Sequence, residues 1–124
     1  MPSSPSEMVI AVPNPAPQRD YEVRIETEEF TCVCPMTGQP DFAKIVITYV
    51  PDSWIVELKS LKLYFWSYRQ EGIFHEAVVN KVLSDLVEAI HPKKIEVTAD
   101  FAVRGGLHTT VRAAYKKEEK ISPS

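Results

Sequence analysis

The stretch Phe30-Thr31-Cys32-Val33-Cys34-Pro35-Met36-Thr37-Gly38-Gln39-Pro40-Asp41-Phe42-Ala43-Lys44-Ile45-Val46-Ile47 reads as one strand, a stiff loop and a second strand. Pro35 and Pro40 fix their backbone angles and lack N–H donors, while Gly38 permits a sharp turn, so the first strand ends near Cys34 and the next begins near Phe42. Upstream, Tyr21, Val23 and Ile25 alternate with Glu22, Arg24 and Glu26, the period of a half-buried strand, which Phe30 to Val33 resumes. Downstream, Phe42 to Val50 is rich in valine, isoleucine and aromatics, Pro51-Asp52-Ser53 makes a turn or bulge, and Trp54 to Glu57 continues extended. Together these segments form an antiparallel hairpin.

The pattern changes at Leu58. From Ser60, the residues Leu61, Leu63, Tyr64, Trp66 and Tyr68 fit a short helix ended by Gly72. Val78, Val79, Val82, Leu83, Leu86, Val87 and Ile90 recur at helical spacing, with His75-Glu76 in the first turn and Pro92 as the stop. Ile95, Val97, Ala99 and Phe101 alternate again, Arg104-Gly105-Gly106 turns the chain, and Leu107 to Tyr115 returns as a last strand. Two hairpins flanking two helices predict an α+β domain: a four-stranded antiparallel sheet with two consecutive helices on one face. Its two open edges favour pairing with other subunits in a ring or barrel.

A chain of 124 residues, 44% hydrophobic, suffices for one compact domain. The catalytic unit is expected over residues 20–115. Residues 1–19 carry five prolines and read as a flexible arm, and residues 116–124 as a solvated tail. With 14 basic and 17 acidic residues dispersed along the chain, neither nucleic acid nor an anionic membrane is an expected partner, and a small ligand is favoured. Met8 to Val12 is too short and lacks the basic leader of a signal or spanning segment. Cys32 and Cys34 are too close in sequence to staple a fold, and their side chains are expected on opposite strand faces, where a bond between them is strained, so reduced thiols in a cytoplasmic setting are expected.

Several groups have the composition of a reactive site. Cys34 and Asp41, facing each other across the loop, pair a nucleophile with a proton donor, because a thiol and a carboxyl held together share protons as a coupled pair. A cysteine at a strand end is more often an inert apolar residue, and Asp41 is what shifts that balance. Glu76 offers a carboxylate that accepts two parallel donors from an amidine-like ring edge, as on guanine or pterin, with His75 beside it; charge complementation at the helix start is the plainer account of the same pair. Lys59, Lys62 and Arg104 are candidate cations for a phosphate-rich cofactor, although Lys59 and Lys62 also fit a solvated helix face. No Gly-x-Gly-x-x-Gly follows a strand, so any dinucleotide binds elsewhere, between subunits. His75, His91 and His108 show no ligand spacing with the cysteines, so no metal is expected.

Glu57-Leu58-Lys59-Ser60-Leu61-Lys62-Leu63-Tyr64 resembles the signature of the queuosine-pathway nitrile reductases, the QueF family. The resemblance extends over Tyr21 to Tyr115 and takes in Cys34-Pro35, Gln39-Pro40-Asp41, Phe74-His75-Glu76 and Arg104-Gly105-Gly106 in order. It implies a tunnelling fold (T-fold) assembled into oligomeric barrels, in the single-domain branch a decamer of two pentameric rings with active sites at subunit boundaries. It further implies NADPH-dependent reduction of the nitrile of 7-cyano-7-deazaguanine (preQ0) to 7-aminomethyl-7-deazaguanine (preQ1), for queuosine in tRNA. In that reaction Cys34 forms a thioimide, Asp41 donates a proton, and Val56, Glu57, Leu58, His75 and Glu76 hold the deazaguanine. Val78 stands where some relatives carry a protecting cysteine, so Cys34 is expected to be open to irreversible oxidation. A non-catalytic purine- or pterin-binding module is the main alternative, and a cysteine hydrolase a weaker one that lacks a base relay.

Overall fold

The computed structural model describes residues 8–118. In chain order the elements are β1 (Ala11–Pro13), β2 (Val23–Val33), β3 (Pro40–Val50), β4 (Trp54–Val56), α1 (Leu58–Trp66), α2 (His75–Ile90), β5 (Lys94–Phe101) and β6 (Thr110–Lys116). The main sheet is antiparallel throughout, in the order β2-β3-β5-β6. The two-helix connection therefore carries the chain from β3 to its neighbour β5. Ala43, Ile45, Ile47 and Tyr49 on β3 and Ile95, Val97, Ala99 and Phe101 on β5 present one buried row each, as strict alternation dictates. Onto that face α2 sets Val78, Val79, Val82, Leu86 and Ile90, all fully buried at three- and four-residue spacing. His91, in the left-handed region at φ 45, donates its N–H to Val87 O at 2.9 Å and closes the helix ahead of Pro92. Leu86→Ala is expected to cost about 2–5 kcal/mol, read as a lower urea midpoint at unchanged slope.

Three expectations need correction. First, the N-terminal segment is not an arm throughout: Ala11–Pro13 pairs antiparallel with Trp54–Val56 in a small second sheet. Composition averaged over nineteen residues hid this docking strand. Val9 and Ala11 pack on the core, and Asn14 is buried, donating to Asp52 O and accepting from Ala16 N–H and the Tyr21 hydroxyl. Met1 to Glu7 and residues 119–124 of the expected tail lie outside the described residues. Second, β4 does not extend the main hairpin; it leaves that sheet at Pro51 to join β1. Third, α1 begins at Leu58 and ends at Trp66, because Glu57 caps it. The Glu57 carboxylate accepts from the N–H groups of Lys59 at 2.6 Å and Ser60 at 2.9 Å. Ser60 in turn bonds Glu57 O and receives the N–H of Ile10, fixing β1 to the helix start.

One irregularity decides the site. The β2–β3 register advances three residues on β2, from Thr27 to Phe30, against two on β3, from Ile45 to Ala43. This bulge reverses the alternation of β2, so that after Val23, Ile25 and Thr27 the even-numbered Phe30 and Cys32 face the core. Residues two apart in a strand share a face, so the expectation of opposite faces for Cys32 and Cys34 does not hold; Cys32 is buried, and Cys34, past the strand end, is half-exposed. Both thiols are free.

Candidate active site

Cys34 leaves the end of β2 half-exposed, and Asp41 enters β3 on the core-facing row that Ala43 and Ile45 continue. Asp41 stands opposite Cys32 in the ladder, and it is a buried carboxylate in an otherwise apolar row. Burial of such a group is tolerable only with hydrogen-bonded partners. Two are present. Arg104 Nη2 lies 2.9 Å from Asp41 Oδ1, and His75 Nε2 lies 3.2 Å from Asp41 Oδ2.

Each partner is held by its own element. The Glu71–Ile73 connector pairs with the end of β2, Val33 N–H donating to Glu71 O at 3.0 Å and Ile73 N–H to Val33 O at 3.1 Å, which brings the start of α2 beside Cys34. His75, the first residue of α2, stacks on the Phe101 ring at 3.7 Å with a 3° interplanar angle, which aims its Nε2 at Asp41. Arg104 sits on the β5–β6 turn, where Gly105 at φ 58 and Gly106 at φ 79 supply the left-handed conformations that close the Arg104–Leu107 bridge. Its guanidinium also donates to Gln39 Oε1 at 2.9 Å and to Pro40 O, clamping the loop after Cys34.

The two thiols are electrostatically distinct. Burial first, then the nearby Asp41 and Cys34, pushes the Cys32 thiol up to about 12, leaving it inert. Cys34 is held below the ordinary thiol value, chiefly by a hydrogen bond from the Thr37 side chain and then by the backbone N–H groups of Met36 and Thr37; the Asp41 charge opposes them. Glu76 is exposed on the first turn of α2, with its backbone oxygen taken by the Asn80 amide. Met36, Phe42, Phe74, Val103 and Leu107 are exposed apolar side chains on the segments that carry these polar groups.

The remaining candidates lie elsewhere. Val56 N–H donates to the Tyr49 hydroxyl, at the far end of β3 from Asp41. Eight residues of strand separate Tyr49 from Asp41, roughly 26 Å at the usual rise. Val56, Glu57, Leu58 and Lys59 therefore do not join Cys34 within one chain. Lys62 rests over the Trp66 ring at 4.6 Å and, with Leu58, lines a cleft against Ile25, Thr27 and Glu29 of β2. Arg104 is engaged with Asp41 at the opposite end, so the three cations expected to converge do not do so in a single subunit. A cavity of about 470 Å³ lies on the sheet between Glu22, Thr48, Lys94 and Lys116, and Cys34 does not line it. Sequence reading missed Thr37, Gln39 and Phe101; of these only Thr37 had a local signal, its place between Pro35 and Gly38 in the turn after a candidate nucleophile.

The chain is thus a two-helix α+β sheet domain with a free cysteine, a buried aspartate and a histidine at one sheet end. The profile of the QueF-like protein family matches residues 40–120, and the chain belongs to that family. It is 62% identical to the NADPH-dependent 7-cyano-7-deazaguanine reductase of Thermomicrobium roseum, over 94% of this chain and 91% of that protein. It is 60% identical to the protein of the same name from Anaeromyxobacter dehalogenans, over 93% and 94% respectively. The crystal structure of the archaeosine synthase QueF-Like in the apo form superposes with a TM-score of 0.72 at 24% identity, over 79% of this chain and 96% of that one, a likeness of fold.

Proposed function

We propose that this chain is an NADPH-dependent reductase of 7-cyano-7-deazaguanine, converting the nitrile to the aminomethyl group of preQ1, and that it acts through a thioimide on Cys34. The observation that carries the mechanism is the joint placement, at one sheet end, of a half-exposed free thiol and a buried carboxylate held by His75 and Arg104. Cys34 sulfur attacks the nitrile carbon, a C–S bond forms as one C≡N π bond opens, and Asp41 delivers the proton that the nitrogen takes up. The product of that step is a neutral thioimide. His75, locked on Phe101, keeps the carboxyl oriented, and Glu76 accepts the two donors of the deazaguanine edge.

The second half of the ligand cradle, Val56-Glu57-Leu58, comes from another copy of the chain. Support for this lies in the distance between the two residue sets and in the outer edges of β6 and of β2 before Val33, which pair with no strand among the described residues. The assembly is a homo-oligomeric tunnelling-fold barrel, in the form of two stacked pentameric rings. Lys59 and Lys62 fit a phosphate-bearing dinucleotide: both are exposed cations on α1, beside the apolar Leu58 and Trp66 surfaces that a ring prefers. NADPH held there would supply one hydride per molecule, so two molecules in succession would take the nitrile to the amine. Arg104 joins that cofactor set only by sharing its guanidinium with Asp41. A reduced, reactive thiol and a small diffusible substrate suit a cytoplasmic enzyme, and no helix among the described residues is long and apolar enough to cross a membrane.

The test is spectrophotometric. Mixing the protein with 7-cyano-7-deazaguanine and NADPH is expected to consume two nicotinamides for each amine formed, as four-electron reduction requires. Ligand binding without nicotinamide oxidation would reduce the chain to a binding module, and release of a carboxylic acid would identify a hydrolase.

A further inference from the structure

Sequence groups Arg104 with the cofactor cations, yet its guanidinium is engaged within its own chain. Nη1 donates to Gln39 Oε1 at 2.9 Å, Nη2 donates to Pro40 O, and the same Nη2 lies 2.9 Å from Asp41 Oδ1. Three consecutive residues thus share one planar fork, a task that a lysine point charge cannot perform. The backbone beneath the side chain is equally fixed. Ala102 N–H donates to Phe42 O and Phe101 N–H to Thr109 O, both at 2.9 Å, so the chain entering the turn is tied to β3 at the residue after Asp41. The turn itself is closed by Arg104 N–H to Leu107 O at 3.0 Å and Leu107 N–H to Arg104 O at 2.9 Å.

We infer that Arg104 is a positioning residue that holds the Asp41 carboxyl in place for the step at Cys34, rather than a cation for the cofactor. This rests on the reading of Cys34 as nucleophile and Asp41 as proton donor. Gln39 and Pro40 fix the plane of the guanidinium, which then holds Oδ1 of Asp41 while His75 holds Oδ2. Among the described residues no other cation takes this place: Lys44 pairs with Glu26 at 3.7 Å, and His108 pairs with Asp100. A cofactor phosphate that drew the guanidinium away would leave the buried Asp41 with His75 alone, and a buried charge that loses a partner is strongly disfavoured. Arg104 is itself exposed on a turn, so truncating it opens no cavity in the core.

Adduct formation with 7-cyano-7-deazaguanine in the absence of NADPH, followed as intact mass against time, isolates this role because no cofactor is present. Arg104→Ala is expected to slow the adduct about ten- to a hundredfold, the order for a reacting group displaced by up to about 1 Å. Arg104→Lys keeps the charge and loses the fork, and is expected to be slowed as well. Two further readouts separate positioning from a structural or cofactor role. Alkylation of Cys34 by iodoacetamide needs no acid and should keep its rate in both variants, and NADPH binding, titrated by its fluorescence, should be unchanged. Adduct formation as fast as in the unaltered protein, or weaker NADPH binding in Arg104→Ala that Arg104→Lys restores, overturns the assignment. So does parallel loss of alkylation and addition, which would make Arg104 a clasp for the cysteine loop. If the unaltered protein itself gains no mass, the nucleophile reading fails, a result distinct from an unaltered protein that reacts and an alanine variant that matches it.

Discussion

Cys34→Ala is expected to bring turnover down to background while the protein folds and assembles as before. The reason for the clean separation is location. Cys34 lies beyond the last ladder residue of β2 and is half-exposed, so losing its sulfur leaves no hole in the core; Cys32, two residues earlier and fully buried, is the cysteine whose truncation would. The chemical consequence is total because direct hydride addition to a nitrile must place negative charge on nitrogen without the electrophilic thioimide. Incubating the unaltered protein with 7-cyano-7-deazaguanine and no NADPH should raise its intact mass by the whole mass of the substrate, since addition across the triple bond expels nothing. The alanine variant should show no gain. Normal turnover by Cys34→Ala would remove covalent catalysis from the scheme, whatever else the site does. Cys32 gives the internal control: burial pushes its thiol so far up that it should not take the adduct when Cys34 is gone.

What could be read in the sequence divides along a physical line. Period-two and helical patterns identified the strands of the main sheet and both helices, because each element buries one face of one sheet and its apolar spacing has no other purpose. The placement of Cys34 and Asp41 at neighbouring strand ends was legible because loop chemistry fixed those ends on either side of them. The partners of Asp41 were not. Arg104 lies 63 positions away and reaches Asp41 only because β5 pairs beside β3, with Ala43 opposite Phe101, and that pairing is a property of topology. The same topology separates Glu57 from Cys34, although both belong to the motifs that carry the resemblance, so a single copy of the chain does not bring them together. The Thr27–Phe30 bulge is a further case. The residues Glu28 and Glu29 break the alternation, yet nothing local says that the break turns Phe30 and Cys32 inward. β1 escaped notice because three residues beside prolines have no periodicity to detect.

Asp41→Asn is expected to slow adduct formation by about a hundred- to ten-thousand-fold, the range typical for removing a general acid, while changing thermal stability much less. The substitution preserves shape, so the buried row through Ala43 and Ile45 keeps its packing. It replaces one acceptor oxygen by an amide that already donates, so either Arg104 or His75 loses its partner. Arg104 is about 40% exposed and recovers much of that loss from water, which limits the stability cost. The nitrile nitrogen has no such recourse. It must take its proton in the same event that forms the C–S bond, and an asparagine has none to give at an accessible cost. Stopped-flow measurement of adduct formation, paired with the iodoacetamide rate of the same variant, separates the two functions of the carboxyl. Asp41 opposes the Cys34 thiolate, so its neutral replacement should leave alkylation as fast or faster while nitrile addition collapses. Parallel loss of both rates would mean that Asp41 serves the sulfur or the loop, and equal retention of both would strip it of any part in the chemistry.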